Sequence, residues 1–274
     1  MTIANTRRSP LRIGCAGWSV PRDCAERFAC QGSHLERFSR VLNAVEINST
    51  FYSMHEPGTF ERWVETTPAA FRFSVKLSQT ITHELKLKRA RGELKKFLLG
   101  IQPLRKKLGP LLIQLPPSLI FSPRLAESFF KLVRELHAGT AVCEPRHESW
   151  FSPEAGTLLF RHHIARVAAD PALNAIAAEP GGWPGLVYFR LHGSPRRFYS
   201  SYTDSFIAAL AERIAEAEKR AQVWCIFDNT ASGAAAGDAL RLHDRLANTR
   251  QSPRLEMLNA KNAERAKVAR KNLI

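Results

Sequence analysis

The sequence predicts an α/β protein: a single (β/α)8 TIM-type barrel of eight parallel strands, followed by a basic C-terminal tail. Three observations lead there. Short apolar runs rich in β-branched residues recur eight times along the chain. Between most of them lie segments with apolar residues at i, i+3 and i+4, the alternation that gives parallel strands joined by right-handed crossovers. The eight repeats fill residues 12–247, close to the ~250 residues typical of a closed barrel. An open doubly wound sheet fits less well. It carries fewer strands and a Gly-rich first turn, whereas "GCAGW" (14–18) has two glycines and no third to open a helix.

Taken in order, the strand candidates are "RIGCAGW" (12–18), "AVEINST" (44–50), "RFSVKL" (72–77), "PLLIQLP" (110–116), "TAVCEPR" (140–146), "ARVAAD" (165–170), "LVYFRLHG" (186–193) and "QVWCIFDN" (222–229). The clearest helical patterns are "LAESFFKLVREL" (125–136) and "SFIAALAERIAEAEKRA" (205–221), with Pro110, Pro123, Pro153 and Gly185 punctuating the joins. Residues 171–185 read equally well as helix or loop. The expected organisation is an N-terminal arm (1–11), the barrel (12–247) and the tail (248–274).

The net charge of +15 is unevenly placed. Residues 84–107 carry nine Lys/Arg against two acids, and residues 248–274 seven against two. The first segment reads as one long surface helix and the second as a tail. Such runs are usually solvated faces, with nucleic acid an open partner for both; that binding would weaken steeply in salt. Five cysteines without a framework spacing read as free thiols. No apolar run approaches the roughly 20 residues that span a bilayer. No stretch of signal-peptide length precedes the first strand. The expectation is a cytoplasmic protein with no membrane partner.

In a barrel of this kind, reactive groups gather at the carboxyl ends of the strands, and alternate residues point inward. Seven of the eight runs deliver a polar or ionisable residue to that rim. These are Glu46 and Asn48; Lys76; Gln114; Glu144 and Arg146; Asp170; Tyr188, Arg190 and His192; and Asp228 with Asn229. Glu46, Glu144, Asp170 and His192 are the candidates for proton transfer. Asn48, Lys76, His83, Gln114, Arg146, Arg190 and Asn229 are the candidates for substrate binding, the cations suiting a carboxylate or phosphate. Bland readings stand beside these: Glu46 and Glu144 neutralising arginines as structural ion pairs, and His83 in "ITHEL" doing no chemistry. Strand parity turns His147 away from Glu144 and Arg146. Trp18, Tyr52, Trp150, Tyr188 and Tyr199 suit stacking on a ring or walling the barrel. The pattern holds no G-x-S-x-G turn, P-loop or H-E-x-x-H.

The pieces "GCAGW", "VEINSTFY" (45–52), "TPAAFRFSVKL" (67–77), "ITHEL" (81–85), "LGPLLIQLPP" (108–117), "EPRHESWF" (144–151), Asp170, "YFRLHG" (188–193) and "FDNTASGAA" (227–235) together resemble the YecE-like family, domain of unknown function 72. The resemblance runs from Ile13 to Leu246. It implies a TIM-type barrel and no particular reaction. Two departures stand out. "SVPRDCAERF" replaces the family's aromatic element after the first strand, and Asp228 stands where the family carries the first of paired asparagines, which weakens a claim for Asp228 as an essential carboxylate.

Three functions follow from the residues. The first is an enzyme, a hydrolase or lyase, acting on a small anionic substrate. The second is a divalent-metal phosphoester hydrolase, with nucleic acid as one candidate substrate and Glu46, Glu144, Asp170 and His192 as ligands; the interleaved arginines weigh against a metal. The third is a non-catalytic anion sensor or interaction protein. The cofactor is left unspecified.

Overall fold

A computed structural model describes residues 11–250. Of the arm expected at 1–11 and the tail expected at 248–274, residues 1–10 and 251–274 lie outside the described residues, and 248–250 continue the last helix of the barrel. Ten strand segments form one sheet: β1 (Arg12–Ala16), β2 (Ala44–Ile47), β3 (Arg72–Lys76), β4 (Leu108–Gln114), β5 (Ala141–Glu144), β6 (Ile164–Arg166), β7 (Ala168–Asp170), β8 (Gly181–Gly182), β9 (Leu186–Leu191) and β10 (Gln222–Phe227). Their order is β7-β9-β10-β1-β2-β3-β4-β5-β6-β8. All pairings are parallel except that of β6 with β8. β7 stands at one end of this order, and β6, edged by the two-residue β8, at the other; β6 and β7 are successive pieces of one stretch of chain. The sheet is therefore closed, and the fold is a TIM-type barrel. The run expected as a single sixth strand is broken at Val167, whose N–H still donates to the Cys143 carbonyl at 2.9 Å.

Helices α1 (His34–Ser39), α2 (Pro57–Thr66), α3 (Arg91–Ile101), α4 (Pro123–Leu136), α5 (Pro153–Arg161) and α6 (Asp204–Ala217) cover the outside, with a last helix over residues 234–250. The return between β7 and β9 carries only a 3-10 turn, Ala175–Ala178, and β8. Helix α4 shows why these segments are helical. It opens on Pro123, whose fixed φ suits the first turn. It buries Ala126, Phe129, Phe130 and Val133, one face of a 3.6-residue repeat. Each phenylalanine contributes roughly 1.5–3 kcal/mol by leaving water. Thr203 caps α6 by accepting from the Phe206 N–H at 3.2 Å.

The basic segment 84–107 is not one helix. A wide turn (Thr80–Glu84) leads into a loop with positive φ at Lys86, Leu87 and Arg89, then α3, then a 3-10 segment (Gln102–Lys107) with positive φ at Arg105. Left-handed residues end helices, so the charge is divided among short elements. Lys107 is not a solvated surface charge. Its buried ammonium donates to the Val64 and Thr67 carbonyls at 2.6 and 2.7 Å, closing the end of α2.

Residues alternate between two cores. Val187, Phe189 and Leu191 face the helices. Leu186 and Tyr188 face the barrel interior with Ala16, Ala44, Leu112, Val142, Ala165 and Trp224. Tyr188 and Trp224 lie nearly parallel, ring centres 6.1 Å apart, and the small alanines leave room for them. Gly14 is required where β1 meets β2, because a Cβ there would stand 1.9 Å from the Ala44 carbonyl oxygen.

Candidate functional site

Above Tyr188 the interior changes from apolar to ionic. On the same inward-facing row of β9 follow Arg190 and, just beyond the strand, His192, both buried. Arg190 is enclosed by three carboxylates. Its Nε and Nη2 donate to Glu46 Oε1 at 3.0 and 2.7 Å, its Nη1 to Glu144 Oε2 at 3.2 Å, and Nη2 lies 3.0 Å from Asp228 Oδ2. Burial alone would strip charge from Arg190, but Asp228, Glu46 and Glu144 outweigh it and hold the guanidinium well above its ordinary range. The Tyr188 hydroxyl completes Glu46 by donating to Oε2 at 2.8 Å and lies 3.0 Å from Ser74 Oγ.

His192 joins the other two carboxylates. Its Nδ1 stands 2.9 Å from Asp228 Oδ2, and its Nε2 2.9 Å from Glu144 Oε1. Burial disfavours a charged imidazole, yet Glu144 and Asp228 together raise the pKa of His192 above 6.5. Arg146 Nη2 reaches Glu144 Oε1 at 2.6 Å and also lies 2.9 Å from His192 Nε2. Both cannot use Nε2: an imidazolium N–H donates to Glu144 and leaves Arg146 to share that oxygen, which is the state the raised pKa favours. Glu144 is pushed up by burial, but Arg190, His192 and Lys76 bring it down to about 2. Asp228 is lowered in the same way, chiefly by Arg190 against its own burial.

The expected residues do not all meet here. Glu46, Asn48, Glu144, Arg146, Arg190 and His192 gather, with Asn48 Nδ2 donating to Asp228 Oδ1 at 3.3 Å. Arg190, expected to bind substrate, is filled by its three carboxylates, and Glu46, expected to transfer protons, is occupied by Arg190 and Tyr188. Neither has a free face. Asp170 turns aside, its Oδ1 accepting from the Tyr202 hydroxyl at 2.9 Å. Asn229 is buried away from the mouth, its Nδ2 donating to Ser200 O and Asp238 Oδ2 at 2.9 and 2.7 Å. Gln114 ends β4 beside Glu144 but takes no part in these bonds. Lys76 lies over the Phe51 ring at 4.0 Å, and His83 packs edge-on against the same ring. His147 caps the turn Glu148–Phe151 by accepting from the Ser149 N–H. Tyr188 walls the barrel interior, Trp150 is buried on the helix side against Phe121 and Phe130, and Trp18 packs on Trp63, while Tyr52 and Tyr199 are exposed. Asp228, set aside on sequence grounds, sits at the centre. Its signal was its place one residue beyond β10, level with His192 beyond β9.

The suggested metal set is not assembled, since Glu46 and Asp170 are turned to Arg190 and Tyr202. Among the described residues no group of three or more His, Cys, Asp and Glu is arranged to hold a metal ion. No helix of the described residues is long and apolar enough to cross a membrane.

A cavity of about 350 Å³ opens at the barrel mouth over β5 and β7, with Glu144, Arg146 and Arg197 as its charged lining and Pro117, Phe151 and Leu173 among its walls. A larger one, about 520 Å³, lies between residues 21–27 and the start of the last helix. Its buried carboxylate, Asp238, is already filled by Ser201, the Tyr202 N–H, Asn229 and Arg241, so the smaller cavity is the better placed for chemistry.

Closed sheet and ion-paired mouth define a TIM-type barrel protein. Residues 12–264 match the family described as protein of unknown function DUF72, and the chain belongs to that family. It is 31% identical over 169 residues to UPF0759 protein YecE of Escherichia coli K12, a stretch covering 58% of this chain and only 59% of that protein. A DUF72 family protein from Thermotoga maritima superposes with a TM-score of 0.73 at 24% identity, covering 87% of this chain and all of that one (100%). D-psicose 3-epimerase from Clostridium cellulolyticum shares the fold at a TM-score of 0.51 and 9% identity, covering 87% of this chain and 99% of the epimerase.

Proposed function

We propose that this chain is an enzyme that takes a small carboxylate or phosphate into the cavity at the barrel mouth and moves a proton there through Glu144 and His192. One observation carries the reading: the charged lining of that cavity is Glu144, Arg146 and Arg197, and Glu144 is bonded directly to His192. Two guanidinium groups beside one carboxylate suit an anion that must also exchange a proton. Glu144 is a weak base at rest, because the surrounding cations hold its proton off. An anion that neutralises Arg146 loosens that hold, so binding itself strengthens the base. His192, kept protonated by Glu144 and Asp228, is the proton reservoir. Metal-dependent phosphoester hydrolysis is the weaker reading, its donors being committed to Arg190 and Tyr202.

Titration calorimetry with inorganic phosphate and malonate, in buffers of differing ionisation enthalpy, tests this. The expected result is binding with proton uptake, weakened about tenfold or more in Arg146→Ala and Arg197→Ala, as loss of one charge-assisted contact implies. Uptake should vanish in Glu144→Gln, whose melting curve should stay cooperative at a lowered midpoint. Failure of any small anion to bind the wild type rejects the proposal.

A further inference from the structure

Lys76, at the end of β3, is a cation that the carboxylates of the mouth leave out. Glu46 is taken by Arg190 and Tyr188, Glu144 by Arg190, Arg146 and His192, and Asp228 by Arg190, His192 and Asn48. Among the described residues Lys76 has no ion pair within 4 Å, although it is only partly exposed at the end of β3. Its position is fixed. The Thr50 hydroxyl bonds the Lys76 carbonyl at 2.8 Å, setting Phe51 beneath the amine, and the Phe51 ring also carries His83 at 4.9 Å.

An ammonium without a counter-ion in such a place is disfavoured. Burial and the charge of Arg190 lower the Lys76 pKa, against the weaker pull of Glu46, Glu144 and Asp228, and the Phe51 face opposes the lowering only modestly. Burial, and to a lesser degree the charge of Lys76, lower the His83 pKa below its ordinary value. The Thr82 hydroxyl donates to the Ser78 carbonyl, so it accepts from His83 Nδ1–H at 2.8 Å, which leaves Nε2 as the basic nitrogen. An amine without an ion pair, sharing the Phe51 ring with an imidazole, is the equipment of a carbonyl-addition site.

We infer that Lys76 forms an imine with a small aldehyde or ketone, one that bears an anionic group if the proposed anion site holds. The amine lone pair attacks the carbonyl carbon. The oxygen takes up a proton as nitrogen loses one, giving a carbinolamine, and the hydroxyl leaves as water with a second proton as the C=N bond forms. His83, which shares the Phe51 ring with Lys76, is the group we assign to shuttle these protons. No oxidant, reductant or metal is needed. The inference rests on the mouth being a site for small molecules, as proposed above, and extends it to a named bond.

The test is reductive trapping on the full-length chain at pH 7. Limiting glyoxylate, or acetaldehyde as the neutral probe, is added with sodium cyanoborohydride, and the sites are read by peptide mass mapping. The expected result is one adduct at Lys76, formed several-fold faster than at exposed Lys95 or Lys131, the direction that a lowered amine pKa gives. The adduct should be lost in Lys76→Met, whose melting curve serves as the folding control. Labelling spread over the surface lysines, or an unreactive Lys76, overturns the inference. If both aldehydes label Lys76 equally, the imine chemistry stands and the anion site is what fails. If glyoxylate alone labels it, and Arg146→Ala abolishes the preference, both stand.

Discussion

Arg190 meets Glu46 side-on, its Nε 3.0 Å and its Nη2 2.7 Å from the same carboxylate oxygen, with neither residue more than 1% exposed. That pair belongs to the frame of the site, since its atoms have no face left for a ligand. Arg190 spans strands β2, β5, β9 and the end of β10 through Glu46, Glu144 and Asp228. Arg190→Met strands three buried carboxylates and should cost about 3–5 kcal/mol. Glu46→Gln keeps two anions on Arg190 and should cost about 1–2 kcal/mol. Urea unfolding at neutral pH checks the order. Repeated at pH 3, the gap should shrink, because the stranded carboxylates can then take up protons.

The cluster also fixes how stability follows pH. Glu144 is held at about 2 against an ordinary 4.5, and Asp228 below 3.8. A depressed carboxyl stabilises fully above its unfolded pKa, and that contribution drains away as pH falls from 4.5 toward 2. His192 is raised above 6.5, so its contribution is complete below 6.5 and is lost as pH rises through the raised value. His83 is lowered and acts in the opposite sense below 6.5. The melting temperature of His192→Gln should therefore keep the acid fall and lose the alkaline one.

Lys107 offers a contrast among the basic residues. Its ammonium serves two carbonyls at the end of α2 and no carboxylate. Lys107→Met should cost about 1–3 kcal/mol, as unsatisfied buried carbonyls do. The loss should be nearly the same in 0.1 and 1 M salt, which denaturation at both strengths would show.

Gly14→Ala places a methyl group against the Ala44 carbonyl, 1.9 Å away. The obstacle is backbone in a neighbouring strand and cannot swing aside, so the cost should be at least about 3 kcal/mol, at or above the usual range for overpacking. Chemical denaturation, or failure to recover folded protein, reports it.

Much of this was legible in the sequence, because strand parity is a strong rule. Glu46 with Asn48, Glu144 with Arg146, and Tyr188 with Arg190 and His192 are each two apart at the end of an apolar run, and the structure brings them together. Parity says which face a side chain takes and nothing about its partner. Arg190 and Arg146 look alike in sequence, yet one is sealed among carboxylates and the other borders the cavity. Asp170 and Asn229 end strands on cue, but Tyr202 and Asp238, distant in the chain, claim them. The helix expected over 84–107 failed because Lys86, Leu87, Arg89 and Arg105 take left-handed backbone without the glycines that normally announce it. The break at Val167 left no local mark.

That break makes the barrel resemble a rolled sheet fastened along one short hem. Everywhere else, neighbouring strands are continuous segments. At the hem, β6 holds β5 with three residues, β7 holds β9 with three, and Val167 alone joins them. No α-helix covers the return from β7 to β9. Slow thermal breathing should therefore start here, with the amides of 167–170 exchanging hydrogen sooner than those of β3 or β10. Because Leu173 and Val167 border the cavity, the broken strand of the sheet is also part of that cavity's wall.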